Sequence, residues 1–505
     1  MNNIGKLVVA AALTAGLGCG GGHKDAESPA DEVSHGGGGG GGGAAAAPVQ
    51  RAAQEKFNAA LDMLNGHDKA ADWNDQACSD TASAFESAAS SQSSGKFPEA
   101  TYDAGLAYQR CNNDKEAKSH FQKALSDDPK FHFARAQLAL YQFKADGNVD
   151  AAINALEQAV NDANFQNVPA LVDLAMFQML RDSDTIGANC QSKAGDLKDF
   201  DCAKLNLQRA LAIDDGYMPA FNQLALFYFG SAKKKAGARK FGRTIATNAA
   251  IAKRGDVQQL ELAALVCGQA VRKNKGYAPI HNTSGLILNE LGQVNTAVKE
   301  FSAAAQLDPH FFEAQMNLAA INLSFRGFDK AEGAYRKALE MHPNDYDAHL
   351  GLALALRGQI DDSNYDKQVA AVQAELDACK KIDEARPDAY FNEGILTQEY
   401  KAKGAGGTDK AVVVYGQAKQ VFQTFLEKAG DKPEYAGAVK KTRERMQDID
   451  DTVTFLQAGG PSTPPPPAAA APGASSGAPS PQDGSAAPAG AAPPAGSAAP
   501  AAPPK

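Results

Sequence analysis

The sequence predicts an all-α protein of stacked antiparallel helix pairs, and three observations carry that prediction. The first is a spacing. In the stretch AEGAYRKALEMHP, Ala331, Tyr335 and Ala338 fall on one helical face, and Pro343 stops the helix five residues later. The second is recurrence. Ala319, Ala331, Tyr335, Ala338 and Pro343 have counterparts 34 residues earlier in Gly285, Ala297, Phe301, Ala304 and Pro309. Gly105, Ala117, Phe121, Ala124 and Pro129 repeat the order near the start. The third is composition: the apolar share leans on alanine, with 7% aromatic and 22% charged residues, which suits helices better than a β-sandwich. A chain of 505 residues is too long for one compact core and long enough for a repeat array. Its net charge of -9 argues against a general affinity for nucleic acid.

The recurring order has one physical cause. The distance between two helix axes depends on the side chains at their crossing, so glycine or alanine there allows close approach. The aromatic residue fills the space between successive pairs. No single pair buries its own apolar face, so the pairs must stack. In this period and in its small, small, aromatic, small, proline order the chain resembles the tetratricopeptide repeat family. The match is strongest at residues 98–131, 278–311 and 312–345. The resemblance implies a right-handed superhelical solenoid of about eight to nine units over residues 50–457.

In chain order, the first element is a leader over residues 1–18. Lys6 precedes an apolar run from Leu7 to Gly18, too short to span a bilayer and fitting a cleaved secretory signal. At Cys19 the stretch resembles a bacterial lipoprotein processing site. Gly18 fits the position before the cysteine, while Leu17 stands one place nearer to it than the usual leucine. That resemblance implies cleavage before Cys19 and lipid attached to it, held at ~0.8 kcal/mol per buried methylene. Gly20 in place of aspartate implies outer-membrane sorting; which face the anchor occupies is not set by it, and the body is expected to face the periplasm. Residues 19–49 then form a Gly-rich tether, eight glycines running from Gly36 to Gly43, with a coil span of about 30 Å.

The solenoid opens with a divergent unit around Phe57–Leu64, Thr81, Phe85 and Ala88. Unit cores follow at Leu138–Ala139, Leu174–Ala175, Leu224–Ala225, Leu352–Ala353 and Gly394, and an amphipathic stretch from Glu434 to Gln457 caps the stack. Three units carry insertions. The first, Arg181 to Asp201, is expected as a loop holding Cys190 beside Cys202. An exported protein sits where disulfides persist, so Cys190–Cys202 and Cys78–Cys111 are the candidate pairs. Cys267 and Cys379 occupy packing positions and are expected reduced. The second insertion, residues 231–254, has eight basic residues and no acidic one. It reads either as a solvated loop or as a short basic helix, carrying Phe241, Ile245 and Ala249, for anionic lipid or an acidic partner. The third, Arg357 to Asp366, is merely polar. Residues 458–505 are almost all Pro, Ala, Gly and Ser, and are expected as a disordered tail reaching about 140 Å when extended, either a probe or an inert solubilising segment.

In stacks of this family the first helix of each pair lines the concave surface. The lining positions, three before and one after the small crossing residue, are Tyr102 and Leu106, Ala136 and Leu140, Val172 and Met176, Asn222 and Leu226, Asn282 and Leu286, Met316 and Ala320, Leu350 and Leu354, and Phe391 and Ile395. None is lysine, so the carboxylate clamp of some family members is not expected. The apolar stripe suits an amphipathic or extended partner segment, or else it is buried against neighbouring units. No metalloprotease, phosphate-loop or dinucleotide motif occurs, and no catalytic residue, metal or cofactor is expected. The expected role is a membrane-anchored adaptor for other envelope proteins. Resemblance points to a gliding-motility apparatus, with a pilotin-like or assembly role for a secretin as the rival.

Overall fold

The computed structural model describes residues 49–459 apart from 71, 185, 193–194 and 241–248, with the side chains of 187–189, 191–192, 235–240 and 249–256 also outside the description. The leader, Cys19, nearly all of the tether and the tail beyond residue 459 lie outside the described residues. Within them the chain is nearly all helix. Nine consecutive helix pairs follow one another: α1 (Arg51–Ala70) with α2 (Asp75–Ser90), α3 (Pro98–Arg110) with α4 (Asp114–Asp127), α5 (His132–Asp146) with α6 (Val149–Asp162), α7 (Val168–Arg181) with α8 (Asp199–Ile213), α9 (Met218–Lys240) with α10 (Ala249–Lys273), α11 (Ala278–Glu290) with α12 (Val294–Leu307), α13 (Phe312–Ser324) with α14 (Phe328–Met341), α15 (Tyr346–Arg357) with α16 (Tyr365–Ile382), and α17 (Asp388–Leu396) with α18 (Thr408–Ala429). A final helix, α19 (Ala436–Gln457), closes the stack.

Local chemistry sets the boundaries. Asn74, Asn113, Asn148, Asn167 and Asp345 each stand before a helix and accept a hydrogen bond from a first-turn amide. Helix α14 ends two residues short of Pro343, which cannot continue it. The repeating small residues lie at the crossings: Ala117, Ala124, Ala297, Ala304, Ala319, Ala331 and Ala338 are all fully buried. Phe121 is also fully buried, and its ring lies 5.3 Å from Tyr102 and 6.0 Å from Tyr141, so it touches its own pair and the next. Glycine is required beneath it. A β-carbon on Gly105 would lie 2.6 Å from Phe121 Cε1, and one on Gly285 would lie 2.6 Å from Phe301. Tyr335 instead packs over Gly351, on the first helix of the following pair.

A second repeating feature joins the pairs, and it escaped the sequence pattern. Six residues beyond a carbonyl in the turn between pairs, a side chain on the next first helix reaches back to that carbonyl. Arg135 bonds Pro129, His281 bonds Lys275, Gln315 bonds Pro309 and His349 bonds Pro343. Both nitrogens of His281 face oxygens, Nδ1 at 2.8 Å from Glu300 Oε2 and Nε2 at 3.0 Å from the Lys275 carbonyl. A ring donates from both nitrogens only when doubly protonated. The hydrogen bond to Glu300, outweighing the opposing effect of burial, raises its pKa above 6.5. Its contribution is therefore complete below that ordinary value and is lost as pH rises through the folded value. His281→Gln, the residue found at position 315, is expected to keep the clasp and flatten the fall of stability as pH rises above about 6.5. Thermal melts at a series of pH values above about 6.5 check it, and an unchanged slope would mean a neutral ring in the fold.

The insertion between α7 and α8 is not a plain loop. It forms an antiparallel hairpin, β1 (Ile186–Ser192) with β2 (Gly195–Lys198), the only strands among the described residues. Strands this short leave too little alternation to detect. Cys190 is bonded to Cys202 on α8, and Gln178 Nε2 lies 3.5 and 3.3 Å from the two sulfurs. Beside them Asp199 is fully buried in a two-pronged ion pair with Arg181, both contacts 2.7 Å, and accepts from Ser183 Oγ at 2.7 Å. Burial alone would raise the Asp199 carboxyl, but Arg181 and Ser183 together hold it below its usual value. Cys78 on α2 is bonded to Cys111 at the end of α3, while Cys267 and Cys379 are free and buried. In the basic insertion, Phe241 and Ile245 lie outside the described residues. Lys234, at its start, pairs with Asp182 and sits 3.3 Å over the ring of Phe200.

Candidate functional site: the inner wall of first helices

The contacts identify which face is inner. From α7 onward, each first helix touches the first helix of the next pair as well as its own partner. The second helices make no comparable contact with one another. Helices that meet on one side and spread on the other leave the meeting side concave. The inner wall is thus built from α7, α9, α11, α13, α15 and α17.

Tyr102, Leu140, Val172, Met176 and Met316, together with Ala136 and Asn282, are buried. Leu106, Asn222, Leu226, Leu286, Ala320, Leu350, Leu354, Phe391 and Ile395 are half-buried. The buried members serve packing. Tyr102 lies 5.6 Å from the ring of Phe131 and 6.0 Å from that of Phe133, and Leu140, Val172 and Met176 join the core shared by α5 to α8. The half-buried members form the apolar part of the wall.

Between them runs a polar row that the apolar pattern hid. The residue two places before the small crossing residue is Asp103, Gln137, Asp173, Gln223, Thr283, Asn317, Gly351 and Asn392 in successive units. Four of its members, Gln137, Thr283, Asn317 and Asn392, each bond to a neighbouring first helix. Gln109 Nε2 donates to Gln137 Oε1 at 3.4 Å, and Thr283 Oγ1 donates to Asn222 Oδ1 at 2.6 Å. Asn317 Nδ2 donates to Asn282 Oδ1 at 2.9 Å, and Arg357 Nη1 to Asn392 Oδ1 at 3.0 Å. Each of these four bonds ties one first helix to its neighbour, while Gly351 has no side chain to make such a bond. A polar residue recurring at this one offset in every unit but that of Gly351 was visible in the sequence and would have exposed the row.

The two acids behave differently. Asp103 is 2% exposed; burial, then the neighbouring Glu99, raises its carboxyl well above the usual range. Asp173 is half-buried, and burial alone raises its carboxyl to about 7. Among the described residues no group of three or more His, Cys, Asp or Glu is placed to hold a metal ion, and no helix is long and apolar enough to cross a membrane.

The family model for the tetratricopeptide repeat matches residues 98–131, the α3–α4 pair and the turn after it. None of the curated proteins matches the chain. Among solved structures the chain is similar to a thermophilic TPR protein of Thermus thermophilus, at 26% identity over 45% of this chain and 99% of that one, with a TM-score of 0.35. It is also similar to PilF of Pseudomonas aeruginosa, at 16% identity over 52% of this chain and 95% of that one, TM-score 0.34. A third likeness is to PilW, described as a type IV pilus biogenesis factor, at 17% identity over 53% and 99% of the two chains, TM-score 0.36.

Proposed function

We propose that this chain is a non-enzymatic, membrane-anchored adaptor whose inner wall holds segments of other envelope proteins. The observation that carries the reading is the wall itself: successive first helices present half-buried apolar side chains beside hydrogen-bonding ones along one face. An extended or helical segment laid there finds apolar contacts and amide partners at a regular spacing. The anchor is lipid on Cys19 in the outer membrane, with the stack in the periplasm. Support for it comes from the apolar leader ending at Cys19 and from the glycine tether that follows. The machine we favour is a gliding-motility apparatus, which the tether, length and Pro/Ala tail resemble.

Cys19→Ala is expected to release the protein from the membrane fraction, because no lipid is then attached. If fractionation is unchanged and the leader is shown by mass to have been removed, the anchor is wrong. Co-purification from detergent-solubilised envelope tests the role. Motility subunits support the favoured machine, a secretin ring supports assembly instead, and recovery of neither removes both assignments.

A further inference from the structure

The fifth pair is longer than the pairs that follow it, and at one end only. Helix α11 ends five residues past its small crossing residue, Gly285, and α13 ends five past Ala319. Helix α9 instead runs fifteen residues past Ala225, to Lys240. On the return, α12 begins three residues before Ala297 and α14 three before Ala331, whereas α10 begins fourteen before Ala263. Both overshoots lie at the tip of the pair. Residues 231–240 and 249–259 therefore form a helical arm, long enough at 1.5 Å per residue to project about 15 Å beyond the tips of the following pairs. Residues 241–248, between the two helices, lie outside the described residues and form no part of the site. The base of the arm is fixed: a β-carbon on Gly230 would lie 3.5 Å from the ring of Phe200, and Lys234 sits over that ring while pairing with Asp182.

We propose that this arm is a second, reversible contact with the membrane, made to anionic phospholipid headgroups. The inference rests on the membrane-anchored reading above and adds a site to it. Lys235, Arg239 and Lys240 fall in the extra turns of α9, and Lys253 and Arg254 in those of α10; from residue 231 onward the first acid is Asp256. Lys235 and Arg239 are four apart and share a helix face. The whole chain carries a net charge of -9, so an anionic surface repels it in general and any attraction must be local. That attraction fades within a Debye length, about 8 Å at physiological salt, so only an element that projects collects it. Clusters of four to eight Lys or Arg on a helix beside a membrane gain from anionic lipid at each cation. A protein segment finds its groove along the inner wall, whereas a projecting tip of one sign suits a flat sheet of the other. Contact of this kind is undone by a salt wash, so it does not hold a chain without lipid on Cys19 in the washed membrane fraction.

The test is co-sedimentation with vesicles of the chain from Gly20 onward, which carries no lipid and keeps every described helix. The vesicles are phosphatidylcholine alone or phosphatidylcholine mixed with phosphatidylglycerol. Binding is expected to the mixed vesicles only, and is expected to fade as salt is raised. The triple variant Lys235→Glu, Arg239→Glu, Lys240→Glu is expected to weaken it at least roughly tenfold. The double variant Lys253→Glu, Arg254→Glu, on the other helix of the arm, is expected to weaken it likewise. Lys440→Glu, Lys441→Glu, Arg443→Glu changes the net charge as much as the triple variant does, at exposed positions on α19, and is expected to weaken binding by no more than roughly threefold. Thermal melts that match wild type show that each variant is folded. Equal binding to both kinds of vesicle, an equal loss in the α19 variant, or no loss in either arm variant would overturn the inference. Binding to soluble polyglutamate without binding to the mixed vesicles would also overturn it, in favour of an acidic protein. The lipid anchor is judged separately by fractionation of Cys19→Ala, so a failure here leaves that reading standing.

Discussion

Phe121→Ala is expected to destabilise the chain by about 3–5 kcal/mol, the range for emptying a fully buried phenylalanine site. The ring sits against Gly105, whose missing β-carbon makes room for it, and against rings from its own pair and the next. Collapse of the surroundings is limited on the side of Gly105, Ala117 and Ala124, which have no atoms to move in. The loss falls on the joint between α3–α4 and α5–α6, so limited proteolysis is expected to open that joint first. Phe325→Ala is the control. Phe325 is 61% exposed, and its removal is expected to change stability by no more than about 0.5 kcal/mol. Denaturant titration of the two variants decides it; equal effects would mean that the aromatic position does not carry the stack.

Asp199→Asn is expected to cost about 3–5 kcal/mol at pH 7, because it leaves Arg181 without its main partner in a place with little water. Arg181 keeps Asp150 at 2.7 Å, but that carboxylate is largely exposed and compensates weakly. The sign with pH is fixed by the lowered carboxyl. Its stabilisation is present above the unfolded value near 3.9 and disappears as pH falls through the lower folded value. Melts of wild type and Asp199→Asn are therefore expected to converge in acid. The double variant Arg181→Met, Asp199→Leu is expected to recover much of the loss, since no charge is then stranded. A single variant as stable as wild type would show that the hairpin is held by the Cys190–Cys202 bond alone.

Much of the architecture was legible because it rests on volume. Ala331, Ala338 and Phe301 report how closely axes approach, and that requirement repeats with the chain, so three good copies located the degraded ones. The hairpin at residues 186–198 was not legible. Seven- and four-residue strands in a polar insertion carry no period, and their stability comes from a disulfide and a buried ion pair contributed by flanking helices. The candidate site was legible only in part. Tyr102 and Met176 were sought as apolar lining and are buried in packing, whereas the polar row sits one register away at Asp103, Asp173 and Asn317. An amphipathic pattern averages over such a row, because its members are hydrophilic residues that the fold draws inward. The carbonyl clasps of Arg135, His281, Gln315 and His349 differ in residue type, and only their common acceptor reveals them.

Each pair touches little beyond the pairs on either side of it. A body joined in this way behaves as a spring. If one end is held and the other pulled, the load passes through every joint in turn, small rotations add along the length, and the weakest joint sets the force of rupture. The clasped turns would set its stiffness.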